Sequence, residues 1–151
     1  MQISARADYA VRALAELAAA GEGPIKSERL AQAQHIPAKF LENILSELRH
    51  ASLLLSQRGA EGGYWLARPA NEITLADIIR AVDGPLANVR GQRPETVDYE
   101  GAAAKLSEVW IAVRASLRGV LEQVTLADLV VGPLPPAVVA MAQEPEAWQP
   151  H

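Results

Sequence analysis

The feature that most constrains the fold is the order of elements in the first 84 residues. Apolar side chains recur every three or four positions from Ser4 to about Ala20, which predicts an amphipathic helix capped by Ser4. Ser27 is predicted to cap a short second helix that ends near Gln34. After a turn, Pro37 suits the first position of a third helix. Three helices therefore open the chain, and a short turn separates the last two.

Two short apolar runs follow these helices and flank a glycine-rich segment. The first run covers residues 53–57 and the second covers residues 64–67. Short apolar runs on either side of a turn predict a two-stranded β-hairpin, and glycine permits the positive φ angles that such turns use. Tyr64 and Trp65 should point to opposite faces of the second strand, with one of them buried.

A long amphipathic helix is predicted over residues 105–124. Its main apolar positions are spaced four, three, four, three and four residues apart, a period of about 3.5 that is typical of one helix packing along another. Val109 and Leu121 widen this stripe toward the body of the domain. The predicted seam consists of Leu106, Trp110, Val113, Leu117, Val120 and Val124. We therefore expect the chain to form a homodimer.

These elements predict a mainly α fold with a small β-hairpin wing, in which a winged helix-turn-helix precedes a long C-terminal dimerisation helix. The predicted divisions are a DNA-binding domain at 1–84, a loop at 85–103, the dimerisation helix with a short following helix at 104–130, and a loosely ending tail at 131–151. The four residues Thr-Leu-Ala-Asp occur at 74–77 and again at 125–128, and each set resembles the capping box of a helix start.

A winged helix-turn-helix places its third helix in the major groove and its hairpin tip near an adjacent groove or the backbone. Lys39 is placed to reach a phosphate or base edge, Asn43 offers both a donor and an acceptor, and Arg58 suits a narrow minor groove. The alternatives are a solvated helix face for Lys39 and Asn43 and an ordinary turn for the glycines. The pattern favours a core position for Phe40 over base stacking.

The charge balance does not favour a DNA-binding protein. The formal net charge is −4, and residues 1–84 hold nine Lys and Arg against ten Asp and Glu. A nucleic-acid-binding surface needs a basic face to neutralise phosphates. Only a local arrangement of cations is therefore compatible with DNA binding.

Several other classes of protein are disfavoured. The chain has no cysteine, which excludes disulfides and thiolate-ligated metals, and its three histidines form no metal-binding pair. It also lacks nucleophile-elbow and phosphate-loop motifs, so we expect neither an enzyme nor a cofactor. The N-terminal segment does not resemble a signal peptide, and no apolar stretch is long enough to span a membrane. The expected location is the cytoplasm.

The chain resembles the Rrf2 family of bacterial winged-helix regulators over about residues 1–130. The motifs that carry the resemblance are Met-Gln-Ile-Ser at 1–4, Asp-Tyr-Ala-Val-Arg-Ala-Leu at 8–14, His-Ile-Pro at 35–37, Phe-Leu-Glu-Asn-Ile-Leu at 40–45, Ser-Gln-Arg-Gly at 56–59, Gly-Gly-Tyr-Trp-Leu-Ala-Arg-Pro at 62–69 and Ala-Val-Asp-Gly-Pro at 81–85. The resemblance implies a homodimer that binds a pseudo-palindromic operator near a promoter. It also matches the long helix to the family's dimerisation helix.

Two groups of residues are predicted to contact DNA. In the recognition helix they are Pro37, Ala38, Lys39, Phe40, Glu42 and Asn43, with Glu42 matching a family position implicated in operator choice. In the wing they are Ser56, Gln57, Arg58, Gly59, Gly62 and Gly63, where the glycines would let the tip approach the sugar–phosphate backbone closely.

The chain departs from the family's iron–sulfur sensors, which carry three cysteines in the loop before the long helix. That loop is Leu86 to Ala104 here, and it contains none. The leading hypothesis is therefore a cluster-free dimeric repressor that responds to a small molecule, a protein partner or no signal. The alternative is a regulator that acts mainly through a partner protein or effector and binds DNA weakly. Trp110 and the loop at 86–103 could border an effector pocket, although a place in the dimer seam is the simpler interpretation.

Overall fold

The structure is a computed structural model that describes residues 1–151. It contains seven α-helices and one antiparallel hairpin. The helices are α1 (Ala5–Ala20), α2 (Ser27–Gln34), α3 (Ala38–His50), α4 (Leu75–Asp83), α5 (Leu106–Leu121), α6 (Leu126–Val130) and α7 (Pro136–Gln143), and the strands are β1 (Leu54–Gln57) and β2 (Gly63–Leu66). The winged helix-turn-helix with a long C-terminal helix is confirmed. No helix is both long and apolar enough to cross a membrane.

Helix α1 lies at the centre of the N-terminal part and packs against α2, α3, α4 and α6. Its buried face includes Ala7, Ala10 and Ala13, whose small side chains let neighbouring helices approach closely. Leu14 of α1 and Leu45 of α3 are completely buried in the same core. Burying a leucine stabilises a fold by roughly 1.5–3 kcal/mol, so this core fixes where α3 can lie.

The helix starts agree with the sequence in part. The Ser4 hydroxyl accepts a hydrogen bond from the Ala7 amide at 3.0 Å, as a cap should. Ser27 is instead the first residue of α2, and Lys26 precedes that helix without a side-chain cap. Pro37 likewise precedes α3, which begins at Ala38. Both helix starts therefore lie one residue from their predicted positions, a shift typical of helix ends.

The hairpin pairs Leu54 with Leu66 at one end and Gln57 with Gly63 at the other. Tyr64 packs against the core, yet both it and Trp65 are half-buried, so the expectation that one of them is buried was wrong. A two-stranded sheet has too few neighbours to cover either ring fully. The segment before α2 extends this sheet, because Ile25 and Tyr64 exchange two backbone hydrogen bonds of 2.9 and 2.8 Å.

The two Thr-Leu-Ala-Asp segments form complete capping boxes at the starts of α4 and α6. They are also neighbours in space, since Thr74 and Thr125 form an antiparallel bridge. The Leu75 amide donates to the Val124 carbonyl at 2.9 Å. Val124 is therefore in the core, only 3% exposed and beyond the end of α5, so its assignment to the dimer seam was wrong.

Two segments predicted to lack regular structure are more ordered than expected. The 85–103 segment contains two short 3₁₀ turns, and Pro94 and Val97 are buried within it. The tail contains α7, which was not predicted, and a further 3₁₀ turn at Pro145–Trp148. Every residue from Glu144 to His151 is exposed. Pro136 at the first position of α7 is a start signal that the sequence did contain.

Candidate nucleic-acid interface

Helix α3 has one face in the core and one face in solvent. Its buried residues follow helical spacing and are Leu41, Ile44, Leu45 and Leu48. The six predicted recognition residues, Pro37, Ala38, Lys39, Phe40, Glu42 and Asn43, are all exposed around the N-terminal end of the helix. The structure therefore brings these residues together on one solvent-exposed surface.

Phe40 is 58% exposed, so the preference for a core position was wrong. The neighbouring Leu41 fills the core instead and is completely buried. The 100° rotation between consecutive helical residues turns Phe40 outward, beside Lys39 and Asn43. An exposed phenyl ring beside polar side chains suits contact with a thymine methyl group.

The tip of the wing is held by a hydrogen bond from the Gly62 amide to the Gly59 carbonyl at 3.0 Å. Arg58 is exposed at this tip and forms no ion pair with the protein. Gln57 is exposed beside it, whereas Ser56 is half-buried and accepts a hydrogen bond from the Arg49 guanidinium at 3.3 Å. This bond links the end of α3 to the wing.

Two of the wing glycines are required by the chain itself. A Cβ atom at Gly62 would lie 2.1 Å from the Gln57 carbonyl oxygen, and one at Gly63 would lie 2.6 Å from the backbone of Ile25. Gly62 is also buried. Gly62 and Gly63 are therefore needed for close packing within the protein, and the expectation that they let a sugar–phosphate backbone approach is not supported. Gly59, with a φ of 106° and open space around it, remains a position where DNA can approach.

The cations of residues 1–84 fall into two groups. The side chains in ion pairs are Arg6, Arg12, Arg68 and Arg80, whose partners are Glu47, Asp83, Asp8, Asp77 and Glu122. The side chains in no ion pair are Lys26, Arg29, Lys39, Arg49 and Arg58. All five unpaired cations lie at the start of α2, on α3 or in the wing. The same elements carry three exposed carboxylates without an ion pair, Glu28, Glu42 and Glu61, so cations are in local excess there although the net charge of the chain is −4.

Lys26 and Arg29 are two interface candidates that the sequence patterns did not indicate. Both are exposed at the N-terminal end of α2, the first helix of the helix-turn-helix. The backbone bonds between Ile25 and Tyr64 hold this end of α2 beside strand β2 of the wing. The available signal was the docking rule that the first helix of such a pair crosses the DNA backbone.

Some apolar side chains of α5 line grooves against the rest of the chain, and others are exposed to solvent. The Trp110 indole donates a hydrogen bond to the Tyr99 hydroxyl at 3.1 Å, and Trp110 lines a groove with Val113 and the segment at 86–89. Leu117 and Leu121 line a second groove with Ile3. Val109 is 50% exposed, so the expectation that it faces the body of the domain was wrong, whereas Trp110, Val113 and Leu117 of the predicted seam line grooves of their own subunit. No residue of α5 is completely buried.

Comparisons with known proteins agree with this geometry. The sequence profile of the Rrf2 family, described as iron-dependent transcriptional regulators, matches residues 3–132. The chain is 49% identical over 150 residues to the HTH-type transcriptional regulator Rv1287 of Mycobacterium tuberculosis, covering 99% of this chain and 93% of that one. It is 38% identical over 130 residues to the HTH-type regulator CymR of Bacillus subtilis, covering 85% and 89% of the two chains.

A solved structure of B. subtilis CymR, described as the global cysteine regulator of that organism, superposes with a TM-score of 0.73 at 37% identity. The superposition covers 87% of this chain and 97% of that one.

The iron in the family description does not fit the residues of this chain. Without cysteine, the chain cannot supply thiolate ligands to an iron–sulfur cluster. The structure also contains no group of three or more His, Asp or Glu side chains arranged to hold a metal ion.

Proposed function

Since the chain belongs to the Rrf2 family of HTH-type transcriptional regulators, which are not enzymes, we propose that it is a cluster-free repressor that binds a pseudo-palindromic operator as a homodimer. The observation that carries the proposal is the grouping of the five unpaired cations with the exposed end of α3. The remaining cations of this part are paired with carboxylates, so these five are the ones free to meet phosphates, and they outnumber the three unpaired carboxylates of the same elements, Glu28, Glu42 and Glu61.

Each part of this surface suits a different part of the duplex. Lys39 and Asn43 extend from the N-terminal end of α3, where side chains reach base edges in the major groove. Glu42 beside them suits the amino group of cytosine. Arg58 at the wing tip suits a narrow minor groove, and Lys26 and Arg29 suit the phosphates between the two grooves.

The proposed dimer uses the side of α5 that its own subunit leaves uncovered. Trp110, Leu117 and Leu121 face the body of the protomer, whereas Val109 is half-exposed on another side of the helix. Packing of this side against the same side of a second copy would bury apolar surface and create two-fold symmetry. Two-fold symmetry would present two recognition helices to half-sites roughly 34–36 Å apart, or a multiple of that distance.

The direct test is genomic footprinting of the native protein, followed by gel shift with the bound fragments. We expect protected sites with two-fold related half-sites that overlap promoters, because a repressor acts by occluding them. The absence of any shift at low salt, with the gene's own upstream region included, would favour the alternative in which the protein acts through a partner.

A further inference from the structure

Four arginines line one cleft where the end of α4, the 85–103 segment and the second half of α5 meet. They are Arg80 from α4, Arg93 from the segment, and Arg114 and Arg118 from α5. The cleft has a volume of about 350 Å³, and only one of its eight lining residues is hydrophobic. A ligand for such a cleft is small and polar.

The cleft holds more positive charge than the fold neutralises. Arg114 pairs with Glu95, and Arg80 and Arg118 share the carboxylate of Glu122. Arg93 has no ion pair, so four guanidinium groups face two carboxylates in a chain whose formal net charge is −4. Arg114 and Arg118 are also one helical turn apart, where like charges repel. An anion in the cleft would remove this repulsion.

The cleft is built from well-anchored groups. The Arg114 side chain is only 16% exposed. Arg93 and Glu95 flank the completely buried Pro94, and the Thr96 amide and hydroxyl both donate to the Arg93 carbonyl, at 2.9 and 2.8 Å. A backbone hydrogen bond and then the Arg114 guanidinium hold the pKa of Glu95 below its ordinary value, so this carboxylate is ionised at neutral pH. The turn that carries Arg93 is therefore fixed before any ligand arrives.

We propose that this cleft binds a small anion with two negative charges, held mainly by Arg93, Arg114 and Arg118. The planar guanidinium group donates two parallel hydrogen bonds to carboxylate or phosphate oxygens. A phosphate monoester and a dicarboxylate both offer this pattern within the volume of the cleft.

The cleft also lies between the two functional parts of the molecule. Arg80 belongs to the winged helix, and Arg114 and Arg118 belong to the helix of the proposed dimer interface. An anion that contacts Arg80 as well would link the two parts, change the angle between them and hence change the spacing of the two recognition helices in a dimer. This regulatory step rests on the proposed function, whereas anion binding does not.

The test is calorimetric titration of the full-length protein with inorganic phosphate and, separately, with succinate, against chloride at matched ionic strength. We expect saturable binding of phosphate or succinate and none of chloride; the two arms distinguish a phosphate ligand from a carboxylate ligand. Arg93→Gln and Arg118→Gln should each weaken binding roughly tenfold, because each removes a charged hydrogen-bond donor. Arg90→Gln is the matched control, since Arg90 is exposed in the same segment but does not line the cleft.

Absence of saturable binding to either anion, or equal weakening by Arg90→Gln, would overturn the proposal. A fall in dimer mass in Arg93→Gln without any anion binding would show that the arginines pair with carboxylates of a second copy, which also overturns it. Anion binding without a change in operator affinity would retain the site and overturn only its regulatory role. Failure of the native protein to bind any operator would instead count against the proposed function.

Discussion

At the scale of single residues, Arg58 is the side chain most directly tied to DNA recognition. It is exposed at the wing tip without an ion pair, so its guanidinium is available to DNA. Arg58→Ala should cost about 1–3 kcal/mol on the specific operator, measured by fluorescence anisotropy. Arg68→Ala removes the same charge from the base of the wing, where Arg68 pairs with Asp77, and should leave operator affinity unchanged. Equal affinities for wild type and Arg58→Ala would disprove the assignment of the wing.

Gly63 separates a structural role from a DNA-binding role at the same scale. Gly63→Ala places a Cβ atom 2.6 Å from the Ile25 backbone, and should destabilise the fold by about 1–3 kcal/mol in urea unfolding. Gly59→Ala meets nothing within 4 Å and carries only the strain of its positive φ, so its loss of stability should be smaller. If the two variants unfold at the same urea concentration, the close packing at Gly63 does not contribute to the stability of the fold.

Other residues show what sequence can and cannot predict at this scale. Ser4 and the two capping boxes were predictable because a cap depends only on neighbouring residues. The exposure of Phe40 was not predictable, because the apolar residues of α3 cover a wider stripe of the helix than the part that packs against the core. The unpaired state of Lys26 and Arg29 depends on where distant carboxylates fold, which a linear sequence does not show.

At the scale of elements, α5 carries the prediction about the dimer. Val109→Glu should place a charge in the proposed interface and convert the dimer to a monomer, as measured by light scattering. Ile111→Glu is the control, because Ile111 is 39% exposed about 160° around the helix from Val109. If Ile111→Glu produced a monomer while Val109→Glu remained a dimer, the interface would lie on the Ile111 side of α5 and the proposed interface would be wrong.

The helices and hairpin of residues 1–84 were predictable because each combines periodicity with a local start or stop signal. The end of the long helix was not. The apolar spacing continues to Val124, but the bond from the Leu75 amide to the Val124 carbonyl draws that residue into the core after α5 has ended at Leu121. Helix α7 was missed because its Ala and Val residues have no polar face to mark a period.

At the scale of the whole molecule, the net charge does not show where the cations lie. A net charge of −4 argues against DNA binding, yet five unpaired cations lie together at α2, α3 and the wing. A second group of arginines lies in the cleft between α4 and α5. The molecule therefore combines a surface suited to a polyanion with a smaller one suited to a compact anion.

The most direct test of DNA recognition by this surface is the salt dependence of operator binding by the native protein. Each neutralised phosphate contributes a slope of about −0.9 to the logarithm of the binding constant against the logarithm of salt concentration. If a dimer places Lys26 and Arg29 of both protomers on the backbone, these contacts alone should give a slope of about −4, and Arg29→Gln should reduce its magnitude by about two. A slope near zero, or one unchanged by Arg29→Gln and Lys26→Gln together, would show that this surface does not bind the DNA backbone.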